Sequence, residues 1–157
     1  MFVRRGHNLL SILILTIVPF ATLLLGTTAS AMEMRVAGDQ LIASSYISEG
    51  DYARFIQTIT PAVKTVVFTN SPGGPRLIGQ DLAEEIRKRN LSTVALGYCF
   101  SSCANAFLGG VERRLANSES FLGYHGNYSS RSRWPSRRFG GAVKNFYYKM
   151  SGGKLSD

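Results

Sequence analysis

The chain has 157 residues, a formal net charge of +8, 45% hydrophobic residues and two cysteines. That length supports one domain with a real core, and no repeat or low-complexity tract divides it. The charge surplus is basic but moderate, and two cysteines are too few for a disulfide-built scaffold.

In chain order, Arg4 and Arg5 form a short basic head, Leu9 to Leu25 is an almost uncharged apolar run, and "ASA" at Ala29–Ala31 supplies the small residues that a signal peptidase requires. Residues 1–31 therefore read as a secretory signal, or else as an uncleaved N-terminal membrane anchor. Either way residues 32–157 form the domain and lie outside the cytoplasm, periplasmic or secreted. Without the leader the balance is 16 basic to 10 acidic residues, or +6.

"MRVAG" and "QLIASSYI" predict short strands, "EGDYARFIQTI" a helix opening at Gly50–Asp51, and "KTVVFTN" a buried β-branched strand. "LIGQDLAEEIRKRN" predicts the clearest helix, with Leu77, Ile78, Leu82 and Ile86 as its apolar stripe and Glu84–Lys88 as an i,i+4 pair. "STVALGY" predicts another buried strand, "SSCANAFLGG" a second helix ending in glycines, and "SFLGYHG" a last strand. "GAVKNFYYKM" reads as a final helix, and "SGGKLSD" after it as a turn leading onward, so the domain reads as C-terminally incomplete. Strand and helix alternating in this way imply right-handed crossovers and a mainly parallel sheet covered by helices.

In such sheets the working groups gather where strands hand over to helices. Two junctions here are chemically unusual. In "NSPGGPR", Pro72 biases Ser71 to an extended shape and Gly73–Gly74 free the backbone, so that amides can face an oxyanion or simply make a turn. In "GYCFSSCANAFLGG", Ser101 or Ser102 sits at the first turn of a helix after a buried strand, which suits a nucleophile and also suits a helix cap. After the leader the one histidine is His125, at the end of the next apolar strand.

The run "NSPGG", then Gly79, then "STVALGYCFSS", "FLGG" and "RRLANSESFLGYH" closely resembles the Clp protease proteolytic subunit and its relatives in the ClpP/crotonase superfamily. Ser101 lies four residues after Gly97 and nine before Gly110, and His125 lies eleven after Arg114, the spacings of that family's nucleophile turn and histidine. The Cys-x-Ser-x-Cys segment brings the chain closer to exported, uncharacterised members of the superfamily. The resemblance runs from about Val66 to His125. It implies repeated β-β-α units, with Ser101 as nucleophile, His125 as general base, and the amides of Gly74 and Ser102 as oxyanion hole. Ser102 is the rival nucleophile. It also implies a peptide or protein substrate and a homo-oligomer.

A serine needs a base, and the base needs an orienting group. The family's acid comes well after its histidine, and Asp157 is the one carboxylate after His125 in this sequence. The resemblance thus implies an exported serine hydrolase, a peptidase, or alternatively a catalytically inactive periplasmic binding or assembly protein. Cys99 and Cys103 either form a disulfide bracing the Ser101 turn or pack as two buried thiols. Two cysteines and one histidine do not make a zinc site, and no cofactor is expected. The stretch with Arg131, Arg133, Trp134, Arg137 and Arg138 reads as a solvated loop rather than a specific nucleic-acid grip. Contact with a membrane is expected only through an uncleaved N-terminal segment.

Overall fold

The computed structural model describes residues 31–125 and 141–154. The leader up to residue 30, the Arg131–Arg138 stretch and Asp157 lie outside the described residues. Among the described residues ten elements succeed one another: β1 (Glu33–Ala37), β2 (Gln40–Tyr46), α1 (Asp51–Thr58), β3 (Thr65–Gly73), α2 (Arg76–Lys88), β4 (Ser92–Phe100), α3 (Ser102–Phe107), β5 (Arg113–Leu115), β6 (Phe121–Gly123) and α4 (Gly141–Met150). Doubled strands open the first and last units, and single strands open the two between.

The sheet runs β1-β2-β3-β4-β5, with β6 also on β4. Only the β1–β2 hairpin pair is antiparallel among these pairings, as a two-residue connection demands; the longer crossovers give parallel pairs. β5 holds the first half of the free edge of β4, from Thr93 to Ala95, and β6 holds the second, from Tyr98 to Phe100.

The β-branched run in β3 puts Val66 and Phe68 against the helices, and β4 adds Ala95 and Cys99. From α2, Ile78, Leu82 and Ile86 meet them at four-residue spacing, and α1 contributes Phe55. Each such side chain, Leu82 or Ile86 for example, stabilises the fold by about 2 kcal/mol relative to exposure. A smaller cluster joins α4 to α2 through Phe146, Met150 and Ala83.

Three expectations need correcting. Leu77 is 61% exposed and does not belong to the apolar stripe, because its position on the first turn of α2 faces away from the sheet. Lys88 pairs with Glu85 at 3.6 Å rather than with Glu84, whose partner is Lys149 of α4 at 3.2 Å. The strand β5 is absent from the sequence-based expectation: its Arg-Arg-Leu residues are all exposed, and only backbone pairing makes them a strand.

Candidate active site

The site begins with an irregularity that crosses three strands. Ser45, Asn70 and Gly97, one each on β2, β3 and β4, have φ of 73°, 46° and 76°, and the strand register shifts beside them. Such bulges bend strand ends and re-aim the residues beyond them. Gly97 is required twice over, by its φ and because a Cβ there would run into the Asn70 side chain, whose Cγ would be 3.1 Å away. The Asn70 Oδ1 accepts from the Tyr98 amide at 3.4 Å, and the Gly97 amide donates to Ser120 Oγ at 3.2 Å.

Beyond the bulge, β3 ends in Ser71-Pro72-Gly73. Ser71 is buried; its hydroxyl donates to the Ser45 carbonyl at 2.7 Å and accepts from the Gly73 amide at 3.2 Å. With the Gly73 amide engaged, Gly74 is the next donor on the turn. Both glycines lie flush against backbone: a Cβ on Gly74 would stand 2.8 Å from the Ile47 carbonyl carbon, and one on Gly73 2.9 Å from both Ser101 Cβ and the Ser102 amide nitrogen. The two junctions read separately from the sequence are thus pressed together.

At the second junction Ser101 takes φ 54° and ψ −119° between β4 and α3. A non-glycine residue there costs about 1–3 kcal/mol and persists only where its surroundings hold it. The holding is visible. Its amide donates to the Gly123 carbonyl at 2.8 Å, and its carbonyl accepts from the Asn105 amide at 3.1 Å. The Ser101 hydroxyl makes no capping bond to the helix, so the strained turn is not explained by capping. Ser101 is half-buried, whereas Ser102 is fully buried and its Oγ has no hydrogen-bond partner among the described residues. Gly79 of α2 lies against it, where a Cβ would be 2.6 Å from Ser102 Cβ. The Ser102 amide belongs to the first turn of α3, whose amides have no acceptor within the helix.

Cys99, last but one in β4, and Cys103, in α3, are bonded to each other, both fully buried, with Cα atoms 5.3 Å apart. The link brackets Ser101. Parallel pairing of β6 with β4 sets Gly123 opposite Phe100, so His125, two residues further on and exposed, emerges at the same sheet end as Ser101.

Beside His125, the Tyr124 ring meets Tyr147 of α4 edge-on with centroids 6.3 Å apart, and the Tyr147 hydroxyl donates to Asn105 Oδ1 at 2.9 Å. Loss of solvent, then Tyr147, pushes the Tyr124 phenol up to about 12, with Arg113 pulling weakly the other way; burial also raises Tyr147, opposed by Arg76. Neither phenol is a base near neutral pH. Sequence reasoning gave no side-chain role to Asn70, Ser71, Ser120 or Tyr147. The "NS" before "PGG" was the available signal for the first two. A separate open groove of about 560 Å³, lined by Asp81, Glu84, Arg87, Lys88 and Lys149 among others, contains neither Ser101 nor His125.

No protein-family model matches the chain, and no curated protein matches it. Among solved structures it is similar to a chain assigned as an enoyl-CoA hydratase from Streptomyces coelicolor A3(2), at 11% identity and TM-score 0.38, over 63% of this chain and 50% of that one. It is also similar to a serine-to-alanine mutant of the membrane-bound stomatin-specific protease 1510-N, at 13% identity and TM-score 0.46, over 69% of this chain and 57% of that one. The chain thus spans about half the length of these neighbours. The described unit itself is mixed α/β with a mainly parallel sheet.

Proposed function

We propose that the chain is an exported, ClpP-like serine hydrolase acting on peptide or protein substrates. The observation that carries this reading is the Ser101 elbow: a serine in a strained conformation, not capping its helix, pressed against the Gly73–Gly74 turn. Ser101 Oγ attacks the scissile carbonyl while His125 takes its proton. The charge that develops on the carbonyl oxygen is met by the amides of Gly74 and Ser102. His125 then returns the proton to the leaving amine, and water, deprotonated by the same imidazole, releases the acyl group from Ser101. The buried disulfide supports an oxidising compartment and therefore export after removal of residues 1–31. Assembly into a homo-oligomer belongs to the same reading.

The second reading is a non-catalytic binding or assembly protein of the same fold. On this reading His125 lacks the orienting acid that a working serine–histidine pair relies on. Loss of that group tends to lower turnover by about four orders of magnitude while sparing geometry.

The test is the intact mass of the exported protein before and after a fluorophosphonate, beside a Ser101→Ala variant. One adduct that disappears with Ser101→Ala is expected. An unlabelled wild-type protein, correctly processed and folded, selects the second reading.

A further inference from the structure

The geometry points to a second, charge-based role for the first residue of the processed chain: the α-ammonium of Met32 forms a buried ion pair with Asp51 that braces the Gly73–Gly74 turn. The inference rests on the proposed cleavage after Ala31 but not on catalysis.

Asp51 opens α1 and is wholly buried. Its Oδ2 accepts from the Met32 backbone nitrogen at 3.0 Å and from the Ser48 amide at 2.6 Å, and its Oδ1 pairs with Arg54. The Arg54 guanidinium also donates to the Met32 carbonyl at 2.6 Å. The Ser48 amide, with the Asp51 amide donating back to the Ser48 carbonyl at 3.1 Å, closes the turn that leads into α1. The reach to Met32, 19 residues away, is extra. Met32 itself is 1% exposed and packs in the main core, so its nitrogen is fixed in place rather than trailing into solvent.

Hydrolysis of the Ala31–Met32 peptide bond by a signal peptidase consumes one water, leaves a carboxylate on Ala31 and releases an amine on Met32. That amine ordinarily titrates near about 8; burial and the Arg54 guanidinium disfavour its charged form, the Asp51 carboxylate favours it, and the proposed pair requires that the carboxylate contact prevail. A neutral amide donor 3.0 Å from a buried carboxylate oxygen thereby becomes a cation at that position. Charge-assisted hydrogen bonds of this kind are roughly twice as strong as neutral ones.

From Asp51 the connection to the site is short. Its Ser48 contact fixes the residue after Ile47; the Ile47 amide donates to the Gly73 carbonyl at 2.9 Å, and the Ile47 backbone is the surface against which Gly74 lies. Asp51 is on this account a positioning residue, and cleavage of the leader tightens the turn that holds the candidate oxyanion donor.

The experiment is a double-mutant cycle in the full chain, exported and processed, with each N-terminus read by intact mass. One change inserts Gly-Ser between Ala31 and Met32, so that processing leaves the charge two residues away; the other is Asp51→Asn. The insertion is expected to lower Tm by about 5 °C with Asp51 present and to change it little in Asp51→Asn. Equal losses in both backgrounds, or a wild-type N-terminus other than Met32, overturn the pair. Should Asp51→Asn not fold, the wild-type protein suffices: its α-amine is expected to react with acetic anhydride at least tenfold more slowly folded than in urea, and equal rates overturn the pair.

The bracing role is read separately from fluorophosphonate labelling. The insertion is expected to slow labelling of Ser101 about tenfold, and unchanged labelling overturns the brace. A coupled Tm cycle in a protein of which no form is labelled leaves the ion pair standing and removes the hydrolase reading instead.

Discussion

At the sheet end where β3 and β4 give way to α2 and α3, positive φ falls on Ser45, Asn70, Gly73, Gly97 and Ser101; at the opposite end it falls on Gly38 and Asn90. Asn90 lies one residue past Arg89, the C-cap of α2, a position where asparagine or glycine commonly takes this conformation. The opposite end is otherwise regular, its strand starts tied in series by Thr65 to the Asp39 carbonyl, Ser92 to Lys64 and Thr93 to Glu112. Strain carried by serines on one side and by tolerant residues on the other locates the part of the molecule shaped for something besides stability.

The sharpest way to break this contrast is to put the same methyl on a glycine at each end. Gly74→Ala meets the Ile47 backbone, which cannot move aside as a side-chain tip would, and is expected to lower stability by about 3 kcal/mol and abolish Ser101 labelling. Gly38→Ala has a φ of 61° but open space around it, so the expected loss is about 1 kcal/mol with labelling retained. Urea denaturation monitored by circular dichroism reads the first quantity and intact mass the second. Equal losses at the two glycines would remove the distinction.

Arg87 offers the converse test, a large structural effect away from the candidate site. Its guanidinium donates to the carbonyls of Leu108, Gly109, Gly110 and Met150, gathering the end of α3 and the end of α4 onto α2. Arg87→Ala removes the side-chain donor from Gly109 and Gly110, while Arg113 still reaches Leu108 and Met150, and is expected to lose about 2 kcal/mol. At temperatures where the variant is still folded, Ser101 labelling should continue at the wild-type rate. A labelling rate that falls with stability would show that the two ends are mechanically coupled.

The legibility of each feature in the sequence depends on how local its signal is. The β-branched runs of β3 and β4, the stripe of Ile78, Leu82 and Ile86, and the glycines around both junctions are contained in a few neighbouring residues, and they are legible. The strand β5 is not, since its residues are all exposed and its strand character comes from pairing with Thr93–Ala95. The partner of Glu84 is hidden because Lys149 arrives 65 positions later with α4. Ser71 and Asp51 look like ordinary polar residues until partners 26 and 19 residues away close around them. The strain at Ser101 is foreshadowed only by analogy of position, because a φ of 54° there depends on the Gly123 carbonyl and on the closeness of Gly73.

The smallest effect separates the two adjacent serines. Ser102 buries a hydroxyl for which no described residue supplies a partner, while its Cβ packs on Gly79 and its amide faces the glycine turn. Ser102→Ala keeps the Cβ and the amide and removes the unpaired oxygen. Since an unsatisfied buried hydroxyl is destabilising, the variant is expected to gain about 1 kcal/mol in urea denaturation, with fluorophosphonate labelling unchanged. Ser101→Ala should show the reverse pattern, labelling lost and stability little altered. If Ser102→Ala instead lost its label, the nucleophile would be the buried serine, and the strained elbow would serve to shield it rather than to present Ser101.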